Sequence, residues 1–282
     1  MTVERFAPSP TGHLHLGHAY SALLAWTAAR KNRGIFLLRI EDIDQPRCKP
    51  EFEQAIYDDL TWLGLSWAQP VIRQSERLSA YYAALQKLID LDLCYPCKCT
   101  RKDITQSMSA PQEGAPLGPD GIIYPGSCRN RSIAQRTETD AIRLDMRKAV
   151  AMLNAPLKYI EAYGATAKTI SINTAELHLV VGDIVLARKD IGTSYHLSVV
   201  VDDAYQNITH VTRGRDLSLA TPVHRVLQEL LGFPSPIYRH HKLIRDENGK
   251  RLAKRHDAKA LRKYRDNGAS PHDIYEMLDL KA

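Results

Sequence analysis

Strand-like and helix-like patterns alternate over the first 90 or so residues of the chain, and this order limits its fold more than any other feature. Residues 3–6 are predicted to form a short strand, and the apolar run at 35–40 is typical of a buried strand. Helical patterns are predicted at 16–30, 51–63 and 75–91, the last with Ser75 as its N-cap. Because strands joined by crossover helices run parallel, the sequence predicts an α/β fold with a parallel sheet.

The periodic pattern breaks between residues 94 and 135. This stretch contains four of the five cysteines, several prolines and glycines, and little apolar rhythm. It is therefore predicted to be an insertion organised by something other than an apolar core. Beyond it, strands are predicted at 141–145, 177–186 and 195–201, and helices at 221–231 and 271–278.

Composition places the 282-residue chain among ordinary globular proteins, with 44% hydrophobic and 25% charged residues. No run of about 18 apolar residues is present, and the N-terminus lacks the pattern of a signal peptide. The protein is therefore expected to be cytoplasmic and not associated with a membrane.

The net charge of +6 is unevenly distributed along the chain. Residues 238–265 contain eleven Lys or Arg and three Asp or Glu, a net of +8. This segment is either a solvated helix face or a phosphate-binding loop beside a nucleic-acid surface.

The stretch PSPTGHLHLGHAY follows the first predicted strand and opens the first predicted helix. A helix N-terminus at the carboxyl end of a parallel strand is suited to binding phosphate. His15 and His18 are three residues apart and share a helix face, where they can donate hydrogen bonds to phosphoryl oxygens. Gly17 lets a planar base approach the backbone. Core histidines and metal ligands are the alternatives, although no further metal ligand stands nearby.

Two further stretches make the pattern specific. HLGH resembles the HIGH signature of class I aminoacyl-tRNA synthetases, and RFAPSPTG and RIEDID resemble the glutamyl-tRNA synthetase group of that class. The second class signature, KMSKS, resembles RLAKR at 251–255. The resemblance implies a Rossmann-like catalytic core in which ATP, as its magnesium complex, is bound by His15, Gly17, His18, Arg251 and Lys254. His15, His18 and Lys254 would be the catalytic residues, acting by positioning and charge stabilisation.

Binding of a glutamate substrate can be argued from charge. Arg5 can form a bidentate pair with the side-chain carboxylate, which a neutral glutamine would not match. Glu41, directly after the second strand, can bind the α-ammonium group. The family resemblance places Arg5, Ala7, Ser9, Glu41, Tyr195 and Arg213 around the amino acid.

The cysteine cluster suggests a metal site. Cys97 and Cys99 are followed by Tyr124 and Cys128, and three thiolates with one oxygen can close a tetrahedral zinc site. Cys94 is a competing ligand, and buried cysteines without a metal are also common. The spacing Cys-x-Cys then Tyr-x-x-x-Cys resembles the zinc site of the glutamyl-Q tRNA(Asp) synthetase family. That resemblance implies Zn²⁺ held by Cys97, Cys99, Tyr124 and Cys128.

The resemblance divides the chain into four parts. These are the first half of the catalytic domain (1–93), the zinc-binding insertion (94–135), the second half with an acceptor-side insertion (136–236), and the KMSKS-like loop with short C-terminal helices (237–282). Only 27 residues follow Arg255, so no anticodon-binding region of the glutamyl-tRNA synthetase type is expected.

The expected activity is ATP-dependent activation of L-glutamate and its transfer to the queuosine base in the anticodon loop of tRNA(Asp), by a monomer. Two alternatives stay open. One is a truncated glutamyl-tRNA synthetase that charges tRNA(Glu), and the other is a non-catalytic zinc-containing RNA-binding protein.

Overall fold

The computed structural model describes residues 1–107, 117–164, 166–244 and 260–280. Its strands are β1 (Val3–Phe6), β2 (Ile35–Ile40), β3 (Ala68–Arg73), β4 (Cys94–Cys97), β5 (Leu117–Gly118), β6 (Gly121–Ile122), β7 (Ala141–Leu144), β8 (Lys158–Tyr163), β9 (Thr166–Ser171), β10 (Val185–Ala187), β11 (His210–Gly214) and β12 (Ile237–His241). Its α-helices are α1 (Leu16–Lys31), α2 (Pro50–Trp62), α3 (Leu78–Asp90), α4 (Arg101–Ser107), α5 (Met146–Ala151), α6 (Leu177–Val180), α7 (Tyr195–Tyr205), α8 (Thr221–Leu231), α9 (Leu261–Asp266) and α10 (Pro271–Met277).

The chain divides into two compact units that alternate along the sequence. The first consists of Met1–Glu76, Asn207–Asp216 and Pro236–Ala282, and the second of Arg77–Gln206 and Leu217–Ser235. The first unit is therefore built from three separate stretches of chain.

A parallel sheet forms the centre of the first unit, with its strands in the order β3-β2-β1-β11-β12. Every neighbouring pair in this order runs parallel. Strands β1 and β2 are mostly buried, which explains why β2 appears in the sequence as a nearly continuous apolar run without alternation. The α/β fold with a parallel sheet predicted from the sequence is confirmed.

Helix α1 connects β1 to β2 and packs on the sheet through small residues, among them Ala19, Ala22 and Ala25. Small side chains bring the helix close to the strands. The connection from α1 to β2 passes through Gly34, where an added Cβ would lie 2.2 Å from the Thr2 carbonyl oxygen. Only glycine fits this approach of the two backbone segments.

Helices α2, α9 and α10 share the apolar core of the first unit. Ile56 and Leu60 of α2 are fully buried in the same cluster as Leu261 of α9 and Ile274 of α10. Asp59 also lies on the buried side of α2, with the Arg265 guanidinium of α9 3.6 Å from its carboxylate. The C-terminal helices are thus fixed to the first unit by apolar contacts and by this ion pair.

The second unit contains an antiparallel sheet in the order β10-β7-β4, the β8–β9 hairpin, and the helices α3, α7 and α8. Helix α3 packs on both α7 and α8. The α3–α7 contact includes a buried polar cluster, in which Asp202 accepts hydrogen bonds from Arg77 Nε (2.7 Å) and Tyr81 Oη (2.8 Å). The buried carboxylate of Asp202 is therefore paired and hydrogen-bonded, which offsets the cost of burying a charge.

Two of the predicted strands are wrong. Residues 195–201 belong to helix α7, which is buried on nearly all sides, so its apolar residues form a run rather than a stripe. The Ser194 side chain caps this helix by accepting a hydrogen bond from the Leu197 N–H. Residues 177–186 form α6 and the start of β10, separated by Gly182 at φ +72°.

The predicted N-cap of α3 is also wrong. Ser75 lies in a 3₁₀ turn ahead of the helix, and its N–H and hydroxyl both donate to Asp42, at 2.8 and 2.6 Å. Arg77 occupies the N-cap position instead.

Within the described part of the chain, none of the helices is both long and apolar enough to cross a lipid bilayer.

Candidate functional site

Three charged candidates lie at neighbouring strands of the parallel sheet. Arg5 is in β1, Glu41 directly follows β2, and Arg213 is in β11. Because β2, β1 and β11 are adjacent and parallel, their carboxyl ends meet at one edge of the sheet, where open α/β sheets bind ligands. The structure thus gathers two buried cations and one carboxylate at this edge of the first unit.

Alternation along the strands separates these residues from a second charged cluster. Arg5 and Arg213 lie on one face of the sheet, whereas Glu4 accepts hydrogen bonds on the other face from Thr212 Oγ1 (2.9 Å) and Arg239 Nη1 (3.0 Å). Burial raises the pKa of Glu4, and Arg239 and Thr212 oppose that rise. Glu4 therefore has a structural role within the sheet.

Glu41 is held by both its backbone and its side chain. Its N–H donates to the Pro8 carbonyl at 3.0 Å, which ties the loop after β1 to the end of β2. Its carboxylate accepts a hydrogen bond from Arg39 Nη2 at 3.2 Å, and Arg39 is fully buried. These two contacts thus fix the position of the Glu41 carboxylate, which is expected to bind the ammonium group of the substrate.

The loop after β1 contains two further candidates for binding the amino acid, Ala7 and Ser9. Ala7 and Ser9 are half-buried, and the Ser9 carbonyl accepts a hydrogen bond from the Thr11 N–H in a tight turn. In RIEDID, the other two carboxylates have partners within the protein. Asp42 accepts from Ser75, and Asp44 forms an ion pair with Arg47, so Glu41 alone of the three is placed beside Arg39.

His15 and His18 together form the start of α1. His15 is the N-cap, and its Nδ1 accepts a hydrogen bond from the Gly17 N–H at 3.1 Å. His18 Nδ1 accepts from the His15 N–H at 3.2 Å, and the two rings stack with centroids 3.8 Å apart. A neutral imidazole that accepts at Nδ1 carries its proton at Nε2. Each ring is therefore set up as an Nε2–H donor, which is the form needed to hydrogen-bond a phosphoryl oxygen.

Gly17 is close to the His15 ring. A Cβ at this position would lie 3.0 Å from His15 Cε1 and 3.1 Å from Nδ1, so a larger residue would require the imidazole to shift by a few tenths of an ångström. His13 packs edge-on against Phe52, with ring centroids 5.0 Å apart, and has no place in the cap.

Tyr195, the remaining candidate for binding the amino acid, belongs to the second unit. It is the first residue of α7, and its ring lies 5.4 Å from that of His196 and 5.6 Å from that of His224. His196 Nδ1 is 3.1 Å from His224 Nε2, and His196 Nε2 is 2.9 Å from Asp120 Oδ1. Sequence reasoning missed this buried pair, because His196 and His224 are isolated histidines 28 positions apart in the sequence.

Arg213 has a neighbour that sequence reasoning also missed. Its Nε donates a hydrogen bond to His240 Nε2 at 3.1 Å, across from β11 to β12. Nothing in the sequence around His240 distinguishes it from His241 beside it.

The candidates Arg251 and Lys254, with the whole RLAKR stretch, lie outside the described residues.

Three cysteines of the second unit form a group that can hold a metal ion. The Sγ atoms of Cys97, Cys99 and Cys128 all lie within 4.8 Å of one another. The Tyr124 hydroxyl lies among them, 3.4 Å from Cys97 Sγ and 3.5 Å from Cys99 Sγ, and it accepts a hydrogen bond from the Cys128 N–H at 2.9 Å. The structure therefore brings together all four of the predicted ligands.

The thiols of this cluster differ in acidity. Burial raises the pKa of Cys99 to about 11. Burial also opposes ionisation of Cys128, but hydrogen bonds from Tyr124, from the Lys98 backbone and from the neighbouring thiols outweigh it and lower its pKa to about 7. Cys128 is thus the thiol of the pair that ionises first, and a thiolate is the form that binds a metal.

Cys94 is not part of the cluster. It lies three residues before Cys97 in β4, so the two side chains are on opposite faces of the strand. Burial raises the pKa of Cys94 to about 12, as expected for a thiol in apolar surroundings.

Comparison with known proteins identifies the class. Residues 1–281 match the model of the catalytic domain of class I tRNA synthetases (E and Q). The chain therefore belongs to the class I tRNA synthetases of the E and Q group. This confirms the resemblance predicted from HLGH, RFAPSPTG and RIEDID.

Within that group, the chain is similar to proteins called glutamyl-Q tRNA(Asp) synthetase. It is 54% identical over 281 residues to the one from Rhodobacter capsulatus, covering 99% of this chain and 100% of that protein. With the one from Nocardia farcinica it shares 41% identity, covering 97% of this chain and 82% of that protein.

Solved structures give the same fold. A glutamate-tRNA synthetase from Elizabethkingia anophelis matches with a TM-score of 0.70 and 28% identity, over 95% of this chain and 54% of that chain. A glutamate tRNA ligase from Elizabethkingia meningosepticum, in complex with its amino acid, matches with a TM-score of 0.74 and 28% identity, over 98% of this chain and 60% of that chain. The chain thus spans little more than half of each of these two proteins.

Proposed function

We propose that the protein activates L-glutamate with ATP and transfers the glutamyl group to the queuosine base of tRNA(Asp). The observation that supports activation most directly is the edge of the parallel sheet, where the adjacent strands β2, β1 and β11 carry Glu41, Arg5 and Arg213 at or near their carboxyl ends. Two guanidinium groups and one carboxylate complement a substrate with two carboxylates and one ammonium group.

In the proposed reaction, the α-carboxylate of glutamate attacks the α-phosphate of ATP in line. A carboxyl–phosphate anhydride forms and pyrophosphate leaves with the electron pair of the broken bond. The attacking carboxylate is already ionised, so the reaction needs no general base. The protein contributes positioning of the two reactants and stabilisation of the charge that builds up on the phosphoryl oxygens.

His15 and His18 are the proposed donors to those oxygens, through the Nε2–H groups that their capping bonds leave protonated. Lys254 is proposed to stabilise the α-phosphate, and Arg251 to contribute a second positive charge near the phosphates. ATP enters as its magnesium complex, in which the ion offsets part of the phosphate charge.

We propose that the cysteine cluster holds Zn²⁺ as a structural ion. The donor set of three thiols and one phenol oxygen suits zinc. In a tetrahedral site, with zinc–sulfur bonds of about 2.3 Å, the sulfur atoms lie roughly 3.8 Å apart, and the three Sγ atoms here lie within 4.8 Å. Cys97, Cys99, Cys128 and Tyr124 would hold the ion, which would join β4 to the segment around residue 128.

The proposed acceptor, tRNA(Asp) with queuosine, is based on the names of the relatives with which the chain shares 54% and 41% identity over almost its whole length. The glutamate--tRNA ligase of Aquifex aeolicus favours a second candidate, charging of tRNA(Glu), because it is 38% identical over 98% of this chain. This chain covers only 56% of that protein. A monomer that works in the cytoplasm remains part of the proposal.

Two assays test the proposal. The first is glutamate-dependent ATP–pyrophosphate exchange in the presence of total tRNA, and its absence would contradict activation. The second is labelling of total tRNA with radioactive glutamate, using tRNA from cells with and without queuosine. Labelling that disappears without queuosine supports tRNA(Asp), whereas labelling of tRNA(Glu) in both preparations would establish the second candidate.

A further inference from the structure

Arg131 contacts both of the chain segments that carry the proposed zinc ligands. Its backbone N–H donates to the Cys128 carbonyl at 3.0 Å, within the turn that contains this ligand. Its side-chain Nη1 donates to the Pro96 carbonyl at 3.2 Å, although the two residues are 35 positions apart in sequence. Pro96 lies in β4 directly before Cys97. One residue thus connects the turn of Cys128 with the strand of Cys97.

Asp140 holds the Arg131 side chain in place. Arg131 Nη1 donates to Asp140 Oδ1 at 2.8 Å and Nη2 donates to Oδ2 at 2.9 Å, which makes a bidentate pair of fixed geometry. The Asp140 side chain is only 1% exposed. Hydrogen bonds from Arg131 and from Thr137 hold the pKa of Asp140 well below its usual range. The partner of Arg131 is therefore a buried carboxylate that is ionised at neutral pH.

The position of Asp140 is itself set by the sheet that carries Cys97. Asp140 directly precedes β7, and β7 pairs with β4 so that Ala141 lies opposite Cys97. Arg131 Nη2 also donates to the Gln135 carbonyl at 3.0 Å. The guanidinium is thus fixed by one carboxylate and by the carbonyls of two separate segments.

These contacts bear on how a metal ion binds. They are made to backbone carbonyls and to a carboxylate, so they can hold the two ligand-bearing segments together before an ion arrives. Ligands that are already in place lose less conformational freedom on binding, which increases affinity. Residues that orient the ligands of a metal ion typically change its affinity by about tenfold to a hundredfold.

We propose that Arg131 is a positioning residue of the metal site, which holds Cys128 close to Cys97 and Cys99 before the ion binds. The inference rests on the proposed zinc site. It adds to that site a residue that acts through the backbone of the ligand-bearing segments.

The test measures the Kd of the whole protein for Zn²⁺ by competition with a chromogenic chelator of known affinity. Arg131→Met keeps an unbranched side chain but removes its donors, and we expect it to raise the Kd about tenfold to a hundredfold. Arg131→Lys keeps the charge, but one ammonium group cannot replace both the bidentate pair with Asp140 and the bond to Pro96. We therefore expect Arg131→Lys to raise the Kd about tenfold as well.

Arg77→Met is the matched control. Arg77 also pairs with a buried aspartate of the second unit, since its Nε donates to Asp202 Oδ1 at 2.7 Å. That pair joins the start of α3 to α7 rather than the two ligand-bearing segments. Arg77→Met should lower the melting temperature, because it leaves a buried carboxylate without its charged partner, but should keep the Kd for Zn²⁺ within about twofold.

Thermal melting of each variant separates metal binding from stability. A lower melting temperature with an unchanged Kd in Arg131→Met would show a purely structural role and overturn the inference. Equal increases of the Kd in Arg131→Met and Arg77→Met would overturn it too, as would full affinity in Arg131→Lys. If Arg131→Met does not fold, Arg131→Gln replaces it with the same expected increase, because one amide group cannot replace both Nη groups.

The wild-type protein distinguishes failure of this inference from failure of the zinc site. Wild-type protein that binds no Zn²⁺ would remove the proposed zinc site and this inference together. Wild-type protein that binds Zn²⁺ no more tightly than Arg131→Met does would overturn the role of Arg131 and leave the zinc site standing.

Discussion

Arg5 and Glu4 are consecutive in β1, yet their side chains lie on opposite faces of the sheet and have different roles. Glu4 has its partners within the sheet, whereas Arg5 is proposed to bind the side-chain carboxylate of glutamate. We expect Arg5→Lys to raise the KM for glutamate by about tenfold to a hundredfold, because an ammonium group cannot form the bidentate pair. The KM for ATP should change little. Both constants come from the exchange assay.

Thermal melting of Arg5→Lys separates this effect from a loss of stability, because Arg5 is buried. The conservative substitution keeps the charge and most of the side-chain volume. Equal increases in the two KM values would count against Arg5 as the group that binds the side-chain carboxylate.

Lys254, in the RLAKR stretch outside the described residues, is predicted to act on the α-phosphate. Lys254→Ala should reduce pyrophosphate exchange by about a thousandfold or more, as expected for a group that stabilises charge mainly in the transition state. Glutamate binding, measured by calorimetry, should be nearly unchanged. Lys250→Ala is the control, since it removes a lysine of the same basic segment that has no assigned role. Normal exchange in Lys254→Ala would refute the assignment.

At the scale of elements, the contact between α2 and α9 contains a buried charge with an unusual pKa. Neither carboxylate oxygen of Asp59 has a hydrogen-bond partner among the described residues, and Arg265 is 3.6 Å away. Burial raises the pKa of Asp59 from 3.8 to about 6, against the attraction of Arg265. The Asp59 carboxyl group therefore stays protonated to a higher pH in the native state than in the unfolded state.

The sign of the pH dependence follows from this difference. Asp59 favours the native state most below about pH 4, and this contribution is lost as the pH rises through about 6, at a cost of roughly 1 to 3 kcal/mol. We expect Asp59→Asn to remove this loss and to raise the free energy of unfolding at pH 7. Urea unfolding at pH 5 and pH 7.5 measures the effect.

Asp58→Asn is the matched control for Asp59→Asn. Asp58 is the preceding residue of α2 but is exposed, and it accepts a hydrogen bond from Gln54 on the surface. Its replacement should change the free energy of unfolding by about 0.5 kcal/mol or less. If Asp59→Asn is destabilising at pH 7, the ion pair with Arg265 outweighs the cost of burial.

The accuracy of the sequence-based predictions varied with the kind of element. Strands β1 and β2 and helices α1 and α2 were predicted within a few residues, because their apolar patterns follow the local periodicity. Helix α7 was predicted as a strand, because a helix buried on nearly all sides loses the periodicity that distinguishes it. The cysteines of the metal cluster were found from their spacing, and Cys94 was set apart only by the direction of its side chain in β4.

Contacts between distant strands could not be predicted in this way. The bond between Arg213 and His240 depends on the register of two strands, and the partners of Asp42 and Asp44 depend on how the loop after β2 folds. The three carboxylates of RIEDID look equivalent in the sequence. In the structure only Glu41 lies beside Arg39.

At the scale of the whole molecule, metal removal should affect one unit more than the other, because the cysteine cluster belongs entirely to the second unit. We expect the purified protein to contain about one equivalent of zinc. Stripping it with a chelator should lower the melting temperature by about 5 to 10 °C, since a bound ion that favours the native state adds a few kcal/mol. Elemental analysis and differential scanning fluorimetry provide the two measurements.

Cys97→Ser should reproduce the effect of the chelator, and Cys94→Ser should keep its zinc. The two cysteines are both buried in β4, so the comparison separates metal binding from burial. Protein that retains zinc in Cys97→Ser, or loses it equally in both variants, would contradict the proposed ligand set.

The order in which the parallel sheet is assembled has a consequence for synthesis of the chain. β1 and β2 are made first, but β11, the strand that pairs with the other side of β1, emerges from the ribosome about 200 residues later. Most of the second unit is complete before that point, because its larger stretch ends at Gln206. During translation, the edge of β1 that pairs with β11 in the native sheet therefore stays unpaired while the second unit folds. Nascent chains arrested before β11 has left the ribosome should expose that edge and require chaperone protection, whereas chains arrested after β11 has emerged should not.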